Sequence, residues 1–231
     1  MTRPRIIDPH AVPVVGTDAD LPALAPAQLG VEALRQRFAR SQVWAPEYAG
    51  DGHLLSDRMP ASAAVLIPLV VRTDGLHVLL TRRTDHLRDH AGQISFPGGR
   101  SEPQDNDATD TALREAAEEV GLQPGRVDVL GLLPHYTTVT GFVVTPVVGV
   151  VRPPLALTPD PFEVAETFEV PLRFLMTPAH HRRHVFSFDG AERQFLSMPW
   201  QGVGGDGLPR EYFIWGATAA MLRNLYRFLA D

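Results

Sequence analysis

Cysteine and lysine are both absent from the 231 residues. The first absence removes disulfide frameworks, thiolate nucleophiles and thiolate metal sites. The second removes Schiff-base chemistry and the lysine of a Walker-type phosphate loop, since all 21 basic side chains are arginines. Any catalysis must use oxygen or nitrogen groups. Long apolar runs are missing too. The longest, Ala63 to Val71, has nine residues with Pro68 inside it, against the ~20 that span a bilayer. The opening stretch MTRPRIIDPHAVPVVG is interrupted by Pro4, Pro9 and Pro13 and lacks an apolar core of signal-peptide length. Nor is there a basic excess: a formal net charge of -6 and a pI near 5.8 offer no broad field to nucleic acid or an anionic membrane. The expectation is a cytoplasmic protein with no nucleic-acid or membrane partner, in which any anionic ligand is held locally.

With 44% hydrophobic and 21% charged residues, the chain suits one globular domain with terminal extensions. Residues 1–44 read as an N-terminal arm followed by an amphipathic helix, in which Val31, Leu34 and Phe38 recur at i, i+3 and i+7. Residues 45–231 read as the main domain, ending in a helix over Ala217 to Leu229. AAVLIPLVV and LHVLLTRR flank Thr73-Asp74-Gly75 and predict a hairpin, with Pro68 marking an edge or a bulge. Short strands are expected at 93–96, 127–133, 142–151, 185–188, 194–197 and 211–215, and a helix over Ala108 to Val120. The pattern is a mixed α+β domain with helices packed on a sheet.

Two adjoining stretches carry chemistry. In GQISFPGGR, Gly98 and Gly99 lack Cβ atoms and let backbone approach a ligand, while Pro97 fixes the entry. In ATDTALREAAEEVGL, Leu113, Ala116, Ala117 and Val120 make a narrow apolar stripe. Glu115, Glu118 and Glu119 crowd the adjacent face, where like charges repel. Arg114 can orient Glu118 but cannot neutralise three carboxylates. Their natural complement is a hard divalent cation, Mg²⁺ or Mn²⁺. The plain alternative is a solvated helical face. Asp107 or Thr109 would cap the start of this helix, and Gly121 suits the left-handed position after its end.

These residues resemble the box of the Nudix hydrolases through Gly99, Arg114, Glu115, Ala116, Glu118, Glu119, Gly121 and Leu122. One departure is an inserted residue, with Asp105 standing where the box has its first glutamate. The upstream stretch LLTRRTDHLRDHAGQISFPGGR is similar to the added signature of the coenzyme A diphosphatase branch, through Arg83, Leu87, His90, Gly92, Gln93, Phe96, Pro97, Gly98 and Gly99. The resemblance implies the Nudix α/β/α sandwich with a mixed β-sheet. It also implies divalent-metal-dependent cleavage of the diphosphate of coenzyme A, or acyl-CoA, to 3′,5′-ADP and 4′-phosphopantetheine. On this reading Glu115 and Glu119 are metal ligands, and Glu118 is a third ligand or the general base, oriented by Arg114. Glu163 and Glu166 in PFEVAETFEV are further candidates for the base, against a solvated loop or helix start. Arg82, Arg83, Arg88 and Arg100, beside Gly98 and Gly99, are candidates for phosphate contacts. The cluster His180 to His184 reads as a polar hairpin edge. Two other readings stay open: hydrolysis of another nucleoside diphosphate derivative such as ADP-ribose or NADH, and a nucleotide-binding regulator without turnover. The N-terminal arm and helix would serve a homodimer contact or cover the pantetheine cleft.

Overall fold

The computed structural model describes residues 6, 8–40, 44–51, 60–86, 92–188 and 191–231. In chain order its strands are β1 (Val14–Thr17), β2 (Ala61–Arg72), β3 (Gly75–Arg83), β4 (Ile94–Ser95), β5 (Gly98–Arg100), β6 (Val127–Leu132), β7 (Tyr136–Thr137), β8 (Phe142–Val151), β9 (Val164–Pro171), β10 (Arg182–Phe188), β11 (Ala191–Val203) and β12 (Pro209–Trp215). Its helices are α1 (Val31–Ala39), α2 (Ala108–Val120), α3 (Leu172–Leu175) and α4 (Gly216–Ala230).

The larger sheet runs β4-β3-β2-β8-β6, with β5 and β7 added to β2 and β8, and β9 on the far side of β3. It is mixed, because β2 and β8 are parallel and the other pairs antiparallel. Helix α2 covers one face: Ala112, Ala116 and Val120 pack with Ala64, Leu66, Leu79, Val147 and Val151. On the other face Ile67, Leu69, Val78 and Val148 join Leu34 of α1, Leu222 and Leu225 of α4, and Met198 and Ile214 of a second sheet. The architecture is the expected α/β/α arrangement around a mixed sheet, with a four-stranded antiparallel sheet β1-β10-β11-β12 beside it. Among the described residues, no helix is long and apolar enough to cross a membrane.

Pro68 lies in a central strand, not at the expected edge or bulge. Strand β2 pairs with β5 over Ala63 to Val65 and with β3 from Leu69 onward. Backbone N–H groups two residues apart point the same way along a strand. Leu66 donates to the Pro97 carbonyl at 2.8 Å, so the N–H that Pro68 lacks would fall in the gap between the two partners. Beyond that gap β2 and β3 part, and the segment from Gln93 to Arg100 fills the fork, with β4 on β3 and β5 on β2.

The stretch PFEVAETFEV, read as loop or helix start, is mostly strand β9. A register shift beside Arg82 and Arg83 leaves Ala165 without a partner and disguises the alternation. His180 to His184 is likewise no edge. Strand β1 covers β10, and both His181 and His184 are buried. The buried Asp18 carboxylate lies 3.0 Å from Arg223 and also pairs with Arg183. Residues before α1 and within α4 are thereby joined through the second sheet.

Candidate active site

Helix α2 is defined at both ends. The Asp107 side chain accepts from the Thr109 and Asp110 N–H groups. Gly121, at φ 71°, takes the left-handed position and donates to the Ala117 carbonyl. The buried positions are Thr111, Ala112, Ala116, Glu119 and Val120. The stripe is therefore rotated from the expected one, with Ala112 at its centre and Leu113 at its margin. That rotation separates the three glutamates: the Glu119 side chain is 7% exposed, Glu115 17% and Glu118 61%.

The glycine turn meets this helix directly. A Cβ on Gly99 would lie 2.5 Å from Glu115 Cδ, so the carboxylate occupies the space a side chain would need. At Gly98 (φ 156°) a Cβ would fall 2.4 Å from the Ala64 carbonyl oxygen, and its N–H donates to Glu119 Oε2 at 3.2 Å. Gly98 thus permits the close approach of β5 to β2, and Gly99 leaves room for the Glu115 carboxylate of α2.

Arg114 organises the rim. Nε and Nη2 grip the Asp105 carboxylate at 2.9 Å each, Nη2 also donates to the Arg100 carbonyl at 3.0 Å, and Nη1 reaches Glu115 at 2.9 Å and Glu118 at 3.0 Å. These five contacts match the five N–H donors of a guanidinium. The hydrogen bonds from Arg114, with others from the Glu102 N–H and Thr111, hold the Asp105 carboxyl well below its usual range. Asp105 thus ties the loop to α2, a role that its place in the sequence, nine residues before Arg114, signalled only faintly.

Arg82 and Arg83 show the alternation of a strand. Arg83 lies 3.8 Å from Glu119 on the α2 side. Arg82 pairs with Glu166 at 3.1 Å, and Glu166 also accepts from Arg210 at 2.7 Å and Tyr212 at 3.3 Å, groups of the opposite face. Burial alone would raise the Glu166 carboxyl, but Arg210 and Arg82 outweigh it and hold the group below its ordinary value. The structure therefore gathers Glu115, Glu118, Glu119, Arg114, Arg83, Gly98 and Gly99, and places Arg82 and Glu166 elsewhere. Arg100 contributes its carbonyl to Arg114, and its side chain is exposed. Arg88, with Leu87 and His90, lies outside the described residues.

Glu163 joins the gathered group through the turn that precedes β9. The Asp160 N–H donates to the Glu119 carbonyl at 2.9 Å, and Thr84 N–H to the Glu163 carbonyl at 3.0 Å. Burial raises the Glu115 carboxyl and lifts that of Glu119 to about 7, and the charge of Glu163 adds to both shifts. One backbone N–H and a guanidinium 3.8 Å away undercompensate the buried Glu119 charge. Oxygen donors in this condition fit a hard divalent cation in kind. As placed, no three His, Asp or Glu side chains among the described residues converge tightly enough to hold an ion. Two of the carboxylates are turned toward Arg114 instead.

The NUDIX domain family matches residues 60–187. An Escherichia coli K12 protein described as an uncharacterized Nudix hydrolase, NudL, is 44% identical over 165 residues, covering 71% of this chain and 80% of its own. The chain belongs to the Nudix family, and it is a hydrolase of phosphoric anhydride bonds. Nudix hydrolases generally use divalent metal ions. Solved structures overlap it more loosely. A MutT/nudix family protein from Enterococcus faecalis aligns with a TM-score of 0.44 at 15% identity, over 78% of this chain and 66% of its own. The NUDIX domain of Shewanella oneidensis NrtR, solved with ADP ribose, gives 0.39 at 19% identity, over 50% and 75%. The family assignment rests on the sequence matches.

Proposed function

We propose that this chain is a cytoplasmic coenzyme A diphosphatase that uses Mg²⁺ or Mn²⁺ to release 3′,5′-ADP and 4′-phosphopantetheine. The observation that carries the reading is the seating of Gly98 and Gly99 against Glu119 and Glu115. The segment that resembles the coenzyme A diphosphatase signature is thereby built into the carboxylate cluster. Glu115 and Glu119 would hold the ion, with Glu118 as a third ligand once it leaves Arg114. Bound there, the ion would shield the anionic phosphate oxygens and acidify a water molecule.

Arg83, on the same face, meets the diphosphate charge. Glu163 is exposed, its turn is bonded to the Glu119 carbonyl through Asp160, and its charge acts on Glu115 and Glu119, so we assign it the proton of the attacking water. The water oxygen bonds to one phosphorus, the bridging P–O bond breaks, and the departing phosphate keeps that electron pair. Glu166, bonded by two arginines on the other face, is not assigned as base.

Incubation of the full chain with CoA and Mn²⁺, followed by mass spectrometry, tests the proposal. The two expected products support it. Intact CoA beside cleavage of ADP-ribose or NADH would replace it with a different Nudix substrate. Nucleotide binding without any product would make the chain a regulator.

A further inference from the structure

Phe162 is 74% exposed, although it is a large apolar ring in a closely bonded turn. Its N–H donates to Asp160 Oδ1 at 2.9 Å, and its carbonyl accepts from Thr84 Oγ1 at 2.9 Å. The turn is closed by the Glu163 and Val164 N–H groups, which donate to the Asp160 carbonyl at 3.1 and 2.8 Å. Asp160 itself donates to the carbonyl of Glu119. Thr84 follows Arg83, whose guanidinium faces Glu119. The backbone carrying the ring is thus fastened to α2 at the Glu119 carbonyl and to Thr84, the residue after Arg83, while the ring stands in solvent next to Glu163.

We propose that Phe162 is a specificity-determining residue, the platform on which the nucleobase of the diphosphate substrate stacks. The assignment rests on the reading above only in taking a nucleotide as substrate. A fixed backbone lowers the entropy lost when the ring is covered. An aromatic face suits a planar base, and such stacking by one residue supports roughly five- to hundredfold in affinity. The phosphates would lie toward Glu115 and Glu119 and the base outward, over the ring.

The test is equilibrium titration of the full chain, with Mg²⁺ present, using two probes that resist hydrolysis: α,β-methylene-ADP and methylenediphosphonate. The Phe162→Ala and Phe162→Leu variants should bind the nucleotide at least about fivefold more weakly, Phe162→Trp should bind it like the wild type, and all should bind methylenediphosphonate equally. Three results would overturn the assignment: wild-type behaviour of Phe162→Leu, equal weakening for both probes, or no nucleotide binding by the unmodified chain. CoA turnover by the unmodified chain is scored separately. Intact CoA together with base-selective loss in Phe162→Leu removes the CoA reading and retains the platform.

Discussion

The α-carbon of Gly99 faces the Glu115 carboxylate so closely that a methyl group there would sit 2.5 Å from its Cδ. The obstructing atoms are the end of a flexible side chain, so Gly99→Ala should fold and should push Glu115 from its place beside Arg114. Displacement of a reacting group by about 1 Å costs on the order of a hundredfold in rate. Steady-state kinetics and a melting curve check this: activity falls while Tm holds. Full activity in Gly99→Ala would remove Glu115 from the machinery. In Gly98→Ala the obstruction is backbone, and Tm falls as well.

Glu119→Gln should abolish turnover and leave the fold intact. The amide oxygen can still accept from the Gly98 N–H, and an undercompensated buried charge disappears. Circular dichroism and product analysis with Mg²⁺ or Mn²⁺ read the two halves separately. A fully active Glu119→Gln would refute its assignment as a metal ligand.

Asp105→Ala should free Arg114 to swing away from the loop while Glu115 and Glu118 stay on the helix. The loss of an orienting partner in a metal site typically costs tenfold to a hundredfold. Activity titrated against Mn²⁺ should therefore shift to higher metal concentration by about that factor. An unchanged titration would show that the Asp105 contact is structural alone.

The buried His181 gives stability an acid limb. Its Nδ1 accepts from Arg223 at 3.0 Å and its Nε2–H donates to the Leu175 carbonyl at 2.7 Å, a pairing that requires the neutral ring. Burial, assisted by the Arg223 charge, lowers it from 6.5 to about 4. The unfolded chain therefore binds the extra proton first. The stabilisation is present above pH 6.5 and lost as pH falls toward 4, by on the order of 3 kcal/mol. Urea melts of the wild type and His181→Asn across that range should differ in slope. Equal slopes would contradict the assignment.

Helix α2 and strand β8 were legible in the sequence because their signals are local: a capping Asp107, a terminal Gly121, and a run from Val143 to Val151 that is β-branched except at Pro146 and Gly149. The site was legible only as composition. Period-two alternation distinguishes Arg82 from Arg83, but which face α2 occupies depends on tertiary packing. The strand around Glu166 was hidden by an unpaired Ala165 and by Glu166 and Glu169, which with the preceding Glu163 mimic a solvated loop. Strand β1 left little trace because all four of its residues are exposed and it exists through its pairing with β10. The histidine cluster followed the same logic: its burial is imposed by a segment some 170 positions earlier, as in the His184 contact with the Val12 carbonyl.

The fork between β2 and β3 gives the glycine turn and the glutamate helix a common reference. Strand β5 pairs with β2, and α2 packs on the same strand. Both partners of each glycine–glutamate contact are thus measured from one ruler. Drift in the second sheet, or length changes in the connections outside that strand, can accumulate without altering the gauge between them. The spacing of these glycines and glutamates is thus set by β2 and not by the periphery of the fold.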